Sequence, residues 1–257
     1  MKKYKIINSY HLKIIALICM IIDHLAATVL TDIDNAIYDG YTMYPLIMIM
    51  RIIGRVSFPI YCYLIVQGFI HTRCVWKYAL RLFMFAIISE WPFDIAFNKT
   101  KFVEFEYNNV FFTLFLGLLF IWALSCFDKL KSKYLEQHKQ YFIAFLIHLV
   151  YAVLIFILFV INMAICNKFP MDYGMMGILC IIVMYILRQK PVAAYAVGAL
   201  LISGLSLNYI QLFALIGVIP IAMYNGEKGK GLKWLFYALY PIHLIILVLI
   251  SMIVGVY

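Results

Sequence analysis

Apolar segments recur along the whole chain, and they constrain its fold more than any other feature. A helix needs about 20 mostly apolar residues to cross a hydrocarbon core of roughly 30 Å. The candidate segments cover residues 12–30, 45–70, 76–96, 109–126, 141–163, 174–188, 191–206, 209–223 and 233–255. They leave no room for a separate soluble domain. The sequence therefore predicts an all-α, polytopic membrane helical bundle of about nine transmembrane helices, forming a single domain over residues 1–257.

Composition excludes two other classes of protein. With 66% apolar and 13% charged residues, a chain of this length could not cover a soluble core with polar surface. The net charge of +9 is explained by basic connectors beside membrane spans, so no nucleic-acid partner is predicted. The six cysteines form no C-x-x-C pair and have no metal-ligand spacing, so no metal site is predicted.

Lysine and arginine are distributed unevenly between alternate connectors. If the N-terminus is cytoplasmic, 16 of the 21 basic residues fall in segments on the inner side of the membrane. The connectors 127–140 and 224–233 are then both cytoplasmic, whereas acidic residues gather on the other side. The positive-inside rule thus predicts nine spans with the N-terminus inside and the C-terminus outside.

Ionisable residues inside the spans are the strongest functional signal. A charge near the bilayer centre costs roughly 2.5 to 3.5 kcal/mol on insertion scales, and such residues usually face a bundle interior or a cavity. The residues concerned are Asp23, His24, Arg51, Arg55, Arg81, Glu90, Asp94 and His243. Most of them share a depth in the middle to outer half of the membrane, which predicts one intramembrane site.

Spacing refines this site and leaves alternatives open. Lys13 and His24 are about three whole turns apart, or about 16 Å along the axis, so one helix face connects the inner surface to the buried histidine. Arg51 and Arg55 project from one face, four residues apart. Asp23 either orients His24 as a general base or pairs with an arginine. The pairs Arg51 with Glu90 and Arg55 with Asp94 are alternative structural ion pairs.

Short connector motifs supply candidate binding groups. "GFIHTR" offers His71 and Arg73 as phosphate contacts, with a membrane anchor as the alternative. "YNGEKGKG" offers Asn225, Lys228 and Lys230 to a phosphate. The outer motifs "EYNN" and "NKFPMDYG" suit either an external substrate or turn and cap formation. They contain Asn108, Asn109, Asp172 and Tyr173.

Taken together and in order, the motifs resemble those of the TraX family. They are the D-H pair of the first span, "RIIGRVSFPIY", "GFIHTR", "SEWPFD", "NNVFFTL", "DYG", "YNG" and "FYALYPIH". The resemblance covers nearly the whole chain. It implies a multi-pass protein of the bacterial plasma membrane. The family's namesake acetylates the N-terminus of a conjugative pilin, so the resemblance also implies acetyl transfer. Lys13 and His24 also resemble the basic-x10-His pattern of acyltransferase-3 proteins, whose paired arginines lie three rather than four residues apart.

The resemblance and the residues together predict an acetyltransferase that uses acetyl-CoA as acyl donor. His24, with Asp23, Arg51 and Arg55, is expected to be catalytic, the histidine as base and an arginine as oxyanion stabiliser. The donor would be held by Lys13, His71, Arg73, Asn225, Lys228, Lys230 and His243. An external acceptor would be met by Glu90, Asp94, Asn108, Asn109, Asp172 and Tyr173. The acceptor is a pilin-like peptide, a cell-surface polymer or an exported small molecule.

Two other functions are compatible with the sequence. A proton-coupled transporter or flippase could use the same charged cluster, although the sequence contains no inverted repeat. An inert assembly factor would explain the fold but not the cost of so many buried charges. The sequence does not determine the oligomeric state.

Overall fold

A computed structural model describes residues 5–38, 41–100, 102–137, 141–206, 208–231 and 233–257. Five charged residues used in the orientation argument lie outside these ranges, namely Lys2, Lys3, Asp39, Lys101 and Lys139. Over the described residues the chain is all-helical, which confirms the predicted class.

Every predicted apolar segment coincides with helix. The first three helices are α1 (Ser9–Ile37), α2 (Tyr44–Gly54) and α3 (Ser57–His71). The next five are α4 (Val75–Phe93), α5 (Val110–Gln137), α6 (Tyr141–Lys168), α7 (Gly174–Ile186) and α8 (Pro191–Ser206). The last elements are a 3-10 helix (Tyr209–Gly217) continuing into α9 (Val218–Ala222), and α10 (Lys233–Val254).

The segments differ in how far they can reach across a membrane. Among the described residues, five helical stretches are long and apolar enough to span: α1, α2 with α3, α5, α6 and α10. Helix α4 has 19 residues but carries Lys77, Arg81 and Glu90. Helix α7, with 13 residues, is only about 20 Å long at 1.5 Å per residue. The bundle therefore combines full-length spans with shorter apolar helices.

Contacts between connectors define two faces. At the face that carries the N-terminus, Ile7 pairs with Tyr224, and Asp128 pairs with Arg188 at 3.1 Å. At the opposite face, Asn108 pairs with Met171, and the Lys99 ammonium lies 2.6 Å from Asp32. The connectors in these contacts thus alternate between the N-terminal face and the opposite face.

The two sides of the bundle differ in packing. Helices α3, α5, α7 and α8 enclose the apolar core, in which Ile60, Leu118, Ile181 and Tyr195 are fully buried. Helix α6 packs against α5 and α7, and its most apolar stretch contributes no buried residue. Helices α1, α2, α4 and α10, with the residues that directly follow α2 and α4, carry the intramembrane charged and histidine residues and form the other side of the molecule.

Candidate active site

A cavity of about 810 Å³ opens at the N-terminal face. Its walls come from α1, α3, the first turns of α4, α5 and α10, and the connector around Tyr224. Six basic side chains line it: Lys13, His71, Arg73, Lys77, Arg81 and Lys228. No carboxylate is found among its described lining residues. The cavity is therefore a pocket of strongly positive potential.

Aromatic rings line the same cavity beside the cations. The Lys13 ammonium lies 5.4 Å from the centre of the Phe236 ring, and the Arg81 guanidinium lies 5.7 Å from that of Tyr78. Tyr61 and Tyr237 add further rings. Cationic and aromatic groups interleaved in this way can bind phosphate and stack on a heteroaromatic base.

Two histidines meet in the middle of the bundle. His24 Nδ1 and His243 Nε2 are 2.8 Å apart, and His243 Nδ1 is 2.9 Å from the Leu239 carbonyl oxygen. The rings stack with centroids 5.0 Å apart. Phe97 packs edge-on against His24 at 5.1 Å. His243, expected among the donor-binding residues, instead lies beside the proposed base and does not line the cavity.

The histidine pair begins where the cavity ends. Tyr240 lines the deep end of the cavity, and its ring centre lies 6.2 Å from that of His24 and 5.5 Å from that of His243. Neither histidine itself lines the cavity. One aromatic ring thus separates the basic cavity from the paired imidazoles.

Helix α1 changes its winding directly after His24. Ala26–Leu30 is π-helical, and the Thr28 hydroxyl donates to the His24 carbonyl at 2.7 Å. The extra residue in a π-turn rotates the next turns relative to an ordinary helix, and such turns recur at functional sites. Because of this turn, the residues of α1 after Leu30 face other directions than they would in a regular α-helix that continues from His24.

Asp23 binds two arginines, not the neighbouring histidine. Its carboxylate accepts from Arg51 at 2.8 Å and from Arg55 at 2.6 Å, while Gln211 accepts from Arg55 at 3.4 Å. Neighbouring side chains on a helix point about 100° apart, which is why Asp23 and His24 serve different partners. Of the two roles predicted for Asp23, pairing with an arginine is confirmed. The ring of His24 bonds to His243 instead.

Gly54 makes this ion-pair cluster possible. A Cβ added at Gly54 would overlap the Asp23 carboxylate. Only glycine lets α2 approach α1 closely enough for Arg51 and Arg55, on either side of the glycine, to reach the same carboxylate.

The predicted acceptor-binding residues divide into two groups. Asn109 holds the Glu90 carboxylate through its backbone and side-chain N–H groups, and Asp94 accepts from Asn98 and from the Glu104 backbone N–H, each at 2.9 Å. The Asn108 side chain donates to the Pro170 carbonyl at 2.8 Å. Glu90, Asp94, Asn108 and Asn109 are at most 1% exposed. The alternative ion pairs Arg51 with Glu90 and Arg55 with Asp94 are therefore wrong.

Asp172 and Tyr173 form the second group, on the connector between α6 and α7. Burial raises the pKa of Asp172 from 3.8 to about 6, although Arg55 and a hydrogen bond from Tyr107 oppose the shift. The Tyr173 ring stacks on Phe58 with centroids 3.7 Å apart. Phe58 lines the deep end of the cavity, so this connector reaches close to the site from the opposite face.

Two residues predicted to bind the donor lie outside the cavity, and two basic residues that line it were not predicted to bind the donor. Asn225 bonds to Glu227, and the Lys230 ammonium lies 5.8 Å from the centre of the Tyr10 ring; neither lines the cavity. Lys77 and Arg81 do line it. A sequence pattern could have indicated them, because Arg73, Lys77 and Arg81 recur every four residues, which is the spacing of one helix face. The positive-inside rule explains the same basic residues without a binding role. Tyr240 carries no polar signal that singles it out.

Fold and site together define an integral membrane protein with an open basic cavity and a part-buried histidine pair. The family model described as TraX protein matches residues 9–251, and the chain belongs to this family. It is 26% identical to the "Probable fimbrial assembly protein FimC, serogroup H1" of Dichelobacter nodosus, over 93% of this chain and 94% of that protein. It is 27% identical to the "Uncharacterized protein RP591" of Rickettsia prowazekii, over 43% of this chain and 35% of that protein. No solved structure matches the chain.

Proposed function

We propose that this protein is a membrane-embedded acetyltransferase of the bacterial plasma membrane. It takes an acetyl group from acetyl-CoA at the cytoplasmic, N-terminal face and transfers it to an amine or hydroxyl of an acceptor from the other side. The observation that carries the proposal is the basic cavity that ends one ring short of the His24–His243 pair.

The composition of the cavity matches the chemistry of the donor. Coenzyme A carries several phosphate groups, an adenine ring and a long, largely apolar arm that ends in the thioester. Lys13, Arg73, Lys77 and Lys228 can bind the phosphates, since charge-assisted hydrogen bonds contribute about 1.5–3 kcal/mol each. The aromatic walls suit the adenine and the arm, which would bring the thioester to Tyr240.

The histidine pair then supplies the base. His24 takes the proton from the acceptor's amine or hydroxyl as that group attacks the thioester carbonyl. The C–S bond breaks, and the leaving thiolate recovers the proton from His24, so that the products are the acetylated acceptor and free coenzyme A. The Asp23 carboxylate pairs with both Arg51 and Arg55, and we assign the three residues to holding the turn of α1 that precedes His24.

The acceptor we propose is the terminal amine of an exported, pilin-like subunit. The name of the Dichelobacter relative, a fimbrial assembly protein, supports this choice. Asp172 and Tyr173 provide an approach from the opposite face, because Tyr173 stacks on the ring of Phe58 that lines the cavity. An acidic group there favours a cationic terminus.

Transfer from labelled acetyl-CoA in inverted membrane vesicles tests the proposal. The double variant Arg73→Glu/Lys77→Glu should raise the donor KM roughly tenfold or more, because two phosphate contacts become repulsive. Lys190→Glu is the matched control, since Lys190 lies at the same face but does not line the cavity. His24→Ala should abolish transfer.

Two results would contradict the proposal. Equal donor KM values for the double variant and the control would remove the cavity from donor binding. Uptake of a solute that depends on a proton gradient and is indifferent to acetyl-CoA would identify a transporter instead.

A further inference from the structure

We propose that His243 is a positioning residue that fixes the tautomer of His24, leaving His24 Nε2 as the nitrogen that accepts the proton. The inference rests on the proposed acetyl transfer for its functional meaning. Its structural content is independent of activity and depends on two hydrogen bonds.

The first bond defines the tautomer of His243. Its Nδ1 lies 2.9 Å from the carbonyl oxygen of Leu239, one turn earlier on α10. A carbonyl oxygen can only accept, so Nδ1 of His243 carries the hydrogen. In a neutral ring the other nitrogen, Nε2, then has a lone pair.

The second bond then determines which nitrogen of His24 carries the hydrogen. Nε2 of His243 lies 2.8 Å from Nδ1 of His24. Because that Nε2 accepts, Nδ1 of His24 must donate, which leaves Nε2 of His24 unprotonated. The opposite direction would require an imidazolium at His243, a residue only 5% exposed. Over the described residues, no carboxylate bonds to either ring to compensate such a charge.

A second histidine provides an internal comparison. His148 on α6 makes the same kind of bond, from Nδ1 to the Ala144 carbonyl at 2.7 Å, but its ring is exposed and no second imidazole bonds to it among the described residues. The ring-to-carbonyl bond alone therefore occurs without a site. What distinguishes His243 is that its remaining nitrogen is used to hold another histidine.

The chain of bonds has a direct consequence for the reaction. The acceptor's proton would arrive at Nε2 of His24 while Nδ1 continues to donate to His243. The positive charge that develops on His24 is stabilised by the lone pair of His243, much as an acceptor behind a catalytic histidine orients and stabilises it in hydrolases. When the thiolate of coenzyme A takes the proton from Nε2, the original tautomers are restored.

Nitrogen-15 NMR of the full-length protein in lipid nanodiscs, with labelled histidine, tests the assignment without reference to activity. Single histidine variants assign the signals. We expect His24 and His243 both to carry hydrogen on Nδ1. In His243→Leu, His24 should lose this preference, whereas in His243→Gln the amide oxygen can replace Nε2 as acceptor and should keep it.

The same variants are then compared in acetyl transfer. His243→Leu should lower kcat by on the order of 10²–10⁴-fold with an unchanged donor KM, and His243→Gln should recover part of that loss. His148→Leu is the matched control and should change neither kcat nor the spectra of the other two rings. Thermal unfolding in detergent identifies any variant that fails to fold, in which case the wild-type tautomers decide the matter.

The outcomes separate the two proposals. Hydrogen on Nε2 of His24 in the wild-type protein would overturn the inference, as would equal kcat values for the Leu and Gln variants of His243. The predicted tautomers without any acetyl transfer would refute the proposed function and retain the histidine arrangement.

Discussion

The charged residues at the two faces of the bundle are arranged in opposite ways. At the N-terminal face, basic side chains line an open cavity and no described carboxylate joins them there. In the opposite half, Asp23 holds two arginines, Glu90 is bound by Asn109 and Asp94 by Asn98. Paired groups in a membrane fix how helices pack, whereas unpaired charge beside a cavity is suited to a ligand. Under the proposed function, the basic cavity binds the donor, whereas these pairs hold the helices of the opposite half together.

The largest effect on stability is expected at Asp23. Asp23→Asn leaves Arg51 and Arg55 without their carboxylate, and breaking a buried ion pair costs about 3–5 kcal/mol. Asp32→Asn is the matched control, because Asp32 pairs with Lys99, whose side chain is 46% exposed. The control should cost no more than about 1 kcal/mol. Similar unfolding free energies for the two variants in detergent would contradict the structural role of Asp23.

A smaller loss is expected at Gly54. Gly54→Ala places a methyl group against the Asp23 carboxylate and must push α2 from α1, an overpacking cost of about 1–3 kcal/mol. Gly204→Ala tests the same substitution in α8, where an added Cβ meets no atom within 4 Å. We expect it to be neutral or slightly stabilising. The thermal midpoint should therefore fall in Gly54→Ala and stay the same or rise slightly in Gly204→Ala, and a common fall would argue against close packing at Gly54.

Salt should distinguish the two halves. Exposed charges are screened beyond about 10 Å at 0.1 M ionic strength, and buried pairs much less. Raising salt should therefore raise the donor KM several-fold while the destabilisation caused by Asp23→Asn changes little. Kinetics and unfolding at matched salt concentrations provide the test, and equal salt sensitivity of both quantities would refute the division.

The smallest effect concerns pH and Asp172. The pKa of Asp172 is raised in the folded protein, so the neutral carboxyl group favours folding. Its contribution to the free energy of unfolding is fully present below about pH 4 and is lost as the pH rises through about 6. Asp172→Asn should therefore raise the thermal midpoint above wild type at pH 7.5 and leave it nearly unchanged at pH 4. Tyr107→Phe removes a hydrogen bond that favours the carboxylate and should move this transition to higher pH. A pH-independent difference between Asp172→Asn and wild type would exclude the assignment.

Local patterns in the sequence predicted the fold because apolar segments determine which residues form spans. The ends were less well predicted: α1 continues to Ile37, where Asp32 and Asp34 interrupt the apolar pattern. The Asp23–arginine cluster could be foreseen as one of two options. The His24–His243 bond could not, because 219 residues separate its partners and no local pattern connects them. Whether the remaining acceptor and donor residues act as predicted stays a prediction.

The shorter helices have a consequence for the surrounding lipid. Helix α8 and the 209–222 segment each measure about 25 Å, and their outer surfaces expose Leu200, Leu212, Ile216 and Ile219. Helix α6, with 28 residues, is about 42 Å long. A bilayer thick enough to match α6 is too thick for α8 and the 209–222 segment, so the surrounding lipid should thin locally or the whole bundle should tilt. Acyl-chain length in the host membrane would then influence how this protein sits and how well it works.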